Sequence, residues 1–185
     1  MTATHAGTAA VTTTGATTAA PKRVPLDPAW KSVLECATVE VFEMMAATRL
    51  TPYIPPVPAQ HAQTGAQSKK QSGLTAMVGM AGVLYGITTT HCSSDTAIRL
   101  ASKVAGTEPA KDPIIVNDAL GELCNMVAGN FKAKISSLAD HCMLSVSTVI
   151  TRENYALQSA ELSESLNIPR AFEGSQIRVC LITQS

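Results

Sequence analysis

From Trp30 onward the apolar residues recur at helical spacing. Trp30, Val33, Leu34, Ala37, Val41, Met44 and Met45 form one stripe, which predicts a helix over about residues 28–48. Asp27-Pro28 supplies a side-chain cap and a proline at the first helical position, and the proline-rich stretch from Thr51 to Pro58 stops the helix. Residues 55–72, with three prolines and a run of Gln, Ser and Lys, read as a surface insertion. At Gly73 the pattern turns strand-like. Leu74–Met80 and Val83–Thr90 are predicted to form a hairpin closed through Gly79, Ala81 and Gly82. Ser93, Ser94 and Asp95 offer caps to a helix with Ala97, Leu100, Ala101 and Val104 inside, and Gly106 ends it. Residues 109–113 read as a linker, followed by a second long helix over about 115–135. Strands are predicted over 143–150, 155–162 and 177–183. Helices interspersed with hairpins predict an α+β fold, a mixed, largely antiparallel sheet layered with long helices.

The second long helix has two unlike faces. At about 100° per residue, Leu120, Leu123, Cys124, Val127 and Phe131 gather on one side as the predicted core face. Asp118, Glu122, Asn125, Gly129 and Lys132 fall on the other within an arc of about 80°. Glu122 and Asn125 are therefore neighbours one turn apart. Gly129 is unexpected here, because glycine inside an exposed helix costs about 1 kcal/mol relative to alanine. Close approach of another backbone or side chain to that face would offset that cost, and Gly121 reads the same way; such glycines suit docking. Asp118, Gly121, Gly129 and Lys132 are thus candidate docking residues around Glu122 and Asn125. Spacing alone does not separate this from an ordinary solvated pair, since Glu-x-x-Asn also recurs at Glu164 and Asn167, two residues before Pro169.

Composition narrows the choice of chemistry. The chain has 185 residues, enough for one domain with a real core. Its 14 basic and 14 acidic side chains all lie beyond residue 20, and the first twenty residues are 8 Thr, 7 Ala, 2 Gly, Met, His and Val. Such a segment has little apolar bulk to offset chain entropy, which predicts a disordered tail over 1–25 and a domain over 26–185. Zero net charge argues against nucleic acid or an anionic membrane as partner. The tail lacks the basic start and Leu-rich stretch of a signal peptide, and no apolar run is long enough to span a bilayer, so a cytoplasmic protein is expected. The five cysteines are dispersed, with no C-x-x-C spacing. His91-Cys92 and His141-Cys142 are the only metal-like features. Adjacent strand residues point to opposite faces, so no metal site is expected.

The run Asp118-Ala-Leu-Gly-Glu122-Leu-Cys-Asn125-Met-Val-Ala-Gly129-Asn-Phe-Lys132 closely resembles the signature helix of the CheC/CheX/FliY phosphatases of bacterial chemotaxis. Val78-Gly79-Met80-Ala81-Gly82 with Gly86 resembles that family's glycine-marked hairpin, and Ser147–Tyr155 resembles the segment after its signature helix. The likeness runs in order over about residues 28–183. CheC-type members carry Glu-x-x-Asn twice, whereas here Glu40 is followed three residues later by Glu43, and Glu43 by Ala46. One site per chain resembles the CheX branch. The chain departs from the family in its tail, its 55–72 insertion and Arg152, where the family tends to have glycine.

The resemblance implies a CheC-like fold, a homodimer, and hydrolysis of the aspartyl phosphate of a CheY-like receiver domain. It implies that Asn125 positions the attacking water and that Glu122 pairs with the receiver's active-site lysine. Magnesium would come with the receiver, and the chain would need no cofactor of its own. Two alternatives stay open at this level: a non-catalytic dimeric module that binds a response regulator, and a metal or redox protein using the His-Cys pairs.

Overall fold

Asp27 holds the turn that leads into the first helix, which starts two residues later than the expected Pro28, with Ala29 as the N-cap. The Asp27 carboxylate accepts the Ala29 N–H at 2.8 Å, and α1 follows over Trp30–Ala46. The computed structural model describes residues 23–55, 73–106, 112–152 and 162–184; most of the expected tail, the insertion and the predicted strand over 155–162 lies outside them. The buried face of α1 is Trp30, Leu34, Ala37, Thr38, Val41, Phe42 and Ala46. Thr38 is tolerated there because its hydroxyl donates to the Leu34 carbonyl at 2.7 Å. Met44, expected in the stripe, is 64% exposed, since Phe42 and Ala46 turn the buried face away from it. Residues 23–25, assigned above to the tail, belong to the fold: the Val24 N–H donates to the Val83 carbonyl at 2.7 Å.

The next helix, α2 (Ser94–Ala105), begins with the Ser93 hydroxyl accepting the Thr96 N–H and ends at Gly106 in the left-handed conformation, φ 64°. The long α3 spans Pro113–Ala133, two residues earlier than expected at its start. Asp112-Pro113 is not a linker but a cap, with the Asp112 carboxylate accepting the Ile114 N–H at 2.9 Å. A single turn, α4 (Ser136–Ala139), follows.

Among the described residues seven strands form one sheet: β1 (Thr51–Pro52), β2 (Gly73–Gly82), β3 (Gly86–Ser93), β4 (Cys142–Leu144), β5 (Thr148–Arg152), β6 (Leu162–Phe172) and β7 (Ser175–Gln184). Their order is β1-β6-β7-β3-β2-β4, with β5 also on β2. Every pairing among these strands is antiparallel, so the sheet is not mixed. The hairpin turn lies at Val83–Tyr85, because β2 runs on to Gly82 to pair with β4. β6 begins at Leu162, where the expected strand was to end. Its Pro169 has no N–H to give a ladder, and β6 sits at the margin of the sheet, covered only by the two residues of β1. Glu173 and Gly174, with φ 49° and 77°, close the β6–β7 hairpin.

The helices cover one face of the sheet, and α3 lies across β2 and β3. The Cys124 thiol reaches both the Ala76 and the Thr88 carbonyls at 3.6 Å. The core forms between Leu34, Val41 and Phe42 of α1, Leu100 of α2, Leu120, Leu123, Val127 and Phe131 of α3, and Val78, Ile177, Val179 and Leu181 of the sheet. Trp30 packs edge-to-face on Phe131, ring centres 6.2 Å apart. This burial fixes the rotation of α3 and hence what its other side presents.

Candidate functional site

All five residues of the predicted α3 core face are buried. Glu122 is correspondingly exposed, and Asn125 is half-buried one turn further along the same side. Neither side chain makes a hydrogen bond or an ion pair with the described residues. An uncommitted carboxylate and carboxamide thus stand side by side on a helix held rigidly from behind.

Each borders an open, shallow depression. Glu122 lines one with Asn117, Asp118, Ser147 and Val149. Asn125 lines the other with Gly129, Met126 and Asn130 of α3, Val41 and Met44 of α1, and Leu144 of β4. Asp118, Glu122, Asn125 and Gly129 are therefore brought together along one strip. Lys132 borders neither depression; it is half-buried on the side toward Cys142, whose thiol pKa its charge lowers against the rise caused by burial. Along the same side stand large exposed apolar side chains: Met44 on α1, and Ile114 and Ile115 at the start of α3, whereas exposed Met143 pairs with Ala81 on the sheet face away from the helices.

Gly121 needs correcting as a docking residue. It is buried, and a Cβ placed there would stand 2.8 Å from the Ser147 hydroxyl. The close approach this glycine permits is made by the chain itself. Gly129 is the opposite case, since a Cβ there would meet nothing within 4 Å.

Ser147 arrives by way of a β-bulge that the alternating pattern of 143–150 concealed. Three steps along β2, from Met80 to Met77, are matched by four on the facing chain, from Leu144 to Thr148. The extra residue breaks the expected single strand into β4 and β5 and brings Ser147 over α3. Asn117 and Ser147 were both missed from sequence; the only signal was the Ser-Val-Ser interruption of the β-branched alternation.

On α1, Glu40 is the residue nearest in type to a second acid site, and it is fully engaged. Its carboxylate accepts from Asn130 Nδ2 at 2.9 Å and pairs with Lys134 Nζ at 2.8 Å. These bonds, with that from Cys36, hold its pKa down to about 2. Glu40 thereby ties α1 to α3 beside the Asn125 depression. Glu164 and Asn167, the second sequence match, lie on strand β6, where a three-residue spacing points side chains to opposite faces.

The His-Cys dipeptides separate in the same way. Cys92 and Cys142 are buried, with desolvation pushing Cys92 up to about 12, while His91 Nδ1 meets the Thr75 hydroxyl at 2.9 Å. Among the described residues no three His, Cys, Asp or Glu side chains come together as a metal site, and no helix is long and apolar enough to cross a membrane.

The family model described as chemotaxis phosphatase CheX matches residues 74–171, more than half of the chain and including all of α3 and the bulge. The chain belongs to the CheX family. Its fold is that of solved CheX and CheC-like proteins. One is CheX in the CheX–CheY–BeF3–Mg2+ complex from Borrelia burgdorferi, 22% identical, with TM-score 0.66 over 84% of this chain and 98% of that one. CheX from Desulfovibrio desulfuricans is 21% identical, TM-score 0.66, over 84% and 99%. A CheC-like superfamily protein from Shewanella sp. PV-4 is 17% identical, TM-score 0.67, over 86% and 100%. No curated protein sequence matches.

Proposed function

We propose that this CheX-family chain hydrolyses the aspartyl phosphate of a CheY-like receiver domain in chemotaxis or related two-component signalling, with Glu122 and Asn125 as its working residues. The observation that carries the reading is their placement: adjacent, Glu122 exposed and Asn125 half-buried at an open depression, uncommitted to any described residue, and mounted on a helix locked from behind. The complex of the Borrelia CheX with CheY, BeF3 and Mg2+ supports a receiver as the partner.

An acyl phosphate is already activated, so hydrolysis needs an in-line water and neutralisation of charge on the transferring group. The Asn125 carboxamide can accept a hydrogen bond from that water without the repulsion a carboxylate would exert on phosphoryl oxygens. Glu122 forms a charge-assisted pair with a receiver lysine and so sets the register of docking. Magnesium and lysine come with the receiver. The apolar side chains Met44, Ile114 and Ile115 suit the rim of a protein interface rather than a small-molecule cleft. Asp118 and Gly129 belong to that docking face. The same reading makes the protein a cytoplasmic homodimer.

The test is phosphate release from purified radiolabelled phospho-receivers. Asn125→Ala is expected to slow release about a hundredfold or more while binding of a beryllofluoride-loaded receiver persists, and Glu122→Ala to weaken binding as well. Full activity of Asn125→Ala would refute the assignment. Receiver binding with no acceleration by the unaltered protein would favour the non-catalytic module instead.

A further inference from the structure

We propose that Ser147 is a specificity-determining residue of the Glu122 site, its hydroxyl completing a hydrogen bond with the docked partner; the inference rests on the phosphatase reading above. The bulge that carries it is anchored. The Ser145 N–H donates to the Gly79 carbonyl at 2.9 Å, the Gly79 N–H donates to Ser145 Oγ at 2.9 Å, and that hydroxyl donates to the Val146 carbonyl at 2.8 Å. Ser147 is therefore held between two residues that are bonded to β2, Ser145 at Gly79 and Thr148 opposite Met77.

On the opposite side Ser147 is seated on Gly121. An alanine Cβ would come within 2.8 Å of its Oγ, so α3 keeps a residue that is poor for a helix where the hydroxyl descends. Ser147 is half-buried and its hydroxyl has no hydrogen-bond partner among the described residues, although the residue walls the same depression as Asn117, Asp118 and Glu122. A hydroxyl that reaches solvent and is committed to no other residue can exchange its water for a polar group that fills the depression. With two carboxylates, a carboxamide oxygen and this hydroxyl around it, the depression fits a nitrogen donor of the partner, an ammonium or an amide N–H.

Gly121 makes the proposal separable from a structural role. Thermal midpoint, kcat and KM for a phosphorylated CheY-like receiver are measured for the unaltered protein, Ser147→Ala, Gly121→Ala, the double variant and Asn125→Ala. Ser147→Ala is expected to raise KM roughly three- to tenfold with kcat unchanged. Gly121→Ala forces the bulge outward and raises KM to a similar extent. In the double variant the nearest neighbours of the new Cβ are the residue-147 Cβ and a Val149 methyl, both at 3.5 Å, an ordinary contact. Its midpoint then rises a few degrees above that of the unaltered protein through helix propensity, while KM stays raised.

Recovery of KM along with stability in the double variant would overturn the proposal, as would an unchanged KM in Ser147→Ala. If Asn125→Ala retains full turnover, or the unaltered protein accelerates nothing, the phosphatase reading fails and the role of Ser147 fails with it. If Asn125→Ala is inactive and Ser147→Ala normal, only the Ser147 inference is lost.

Discussion

Gly129→Ala sets stability against docking. Gly129 lies in the interior of α3, one turn beyond Asn125, and a Cβ built there meets nothing within 4 Å. No contact within the described fold accounts for a glycine at this position. Alanine should stabilise the helix by about 1 kcal/mol, which for a domain of this size raises the thermal midpoint by roughly 2–4 °C. If the receiver closes on this face, the added methyl must be accommodated at the interface. Overpacking a tight contact costs about 1–3 kcal/mol, which corresponds to roughly a 5- to 150-fold rise in KM. The assays are a circular-dichroism melt and phosphate release over a range of phospho-receiver concentrations. The reasoning requires both outcomes together, a more stable protein that docks less well. An unchanged KM would show that the open space at Gly129 faces only solvent. A lowered midpoint would show that the packing around α3 has been misread.

Phe131→Ala should cost about 3–5 kcal/mol, since the ring is fully buried against Trp30, and urea unfolding should show the midpoint falling accordingly. Glu40 ties α1 to α3 with a folded pKa of about 2, below its ordinary 4.5, so its contribution is complete above pH 4.5 and is lost as the pH falls towards 2. Glu40→Gln should therefore be less stable than the unaltered protein at neutral pH and equal to it near pH 2. Lys134 is the alkaline counterpart: the Glu40 carboxylate raises its pKa, and its contribution is lost only as the pH rises through that raised value. Burial pushes the Cys92 and Cys124 thiols to about 12 and 11 and also raises Cys142. Iodoacetamide near neutral pH should leave all three unlabelled until the protein is unfolded, as mass spectrometry would show, whereas exposed Cys36 should react slowly, its pKa raised by the hydrogen bond to Glu40.

Where structure is decided by neighbours within a turn or two, the chain could be read directly. Ser93 and Gly106 bracket α2 because capping is a local hydrogen-bond requirement. The buried side of α3 followed from 3.6-residue periodicity, and with it the placing of Glu122 and Asn125 on the opposite side. Reading Asp112-Pro113 as a linker missed a signal that had been recognised at Asp27-Pro28.

Other features depend on contacts between distant segments, which carry no periodic trace. β6 stands as a strand despite Pro169 because it lies at the margin of the sheet. Glu40 is a tie between helices because folding brings Asn130 and Lys134 to it across ninety or more residues of sequence. Gly121 and Gly129 look alike along the chain, eight residues apart on one helix. Sequence periodicity by itself determined that α3 would present an acid and an amide together. Only the tertiary structure decided that one glycine is occupied by the chain's own bulge while the other stands open, because what lies within 4 Å of a helix is set by how the rest of the chain packs against it.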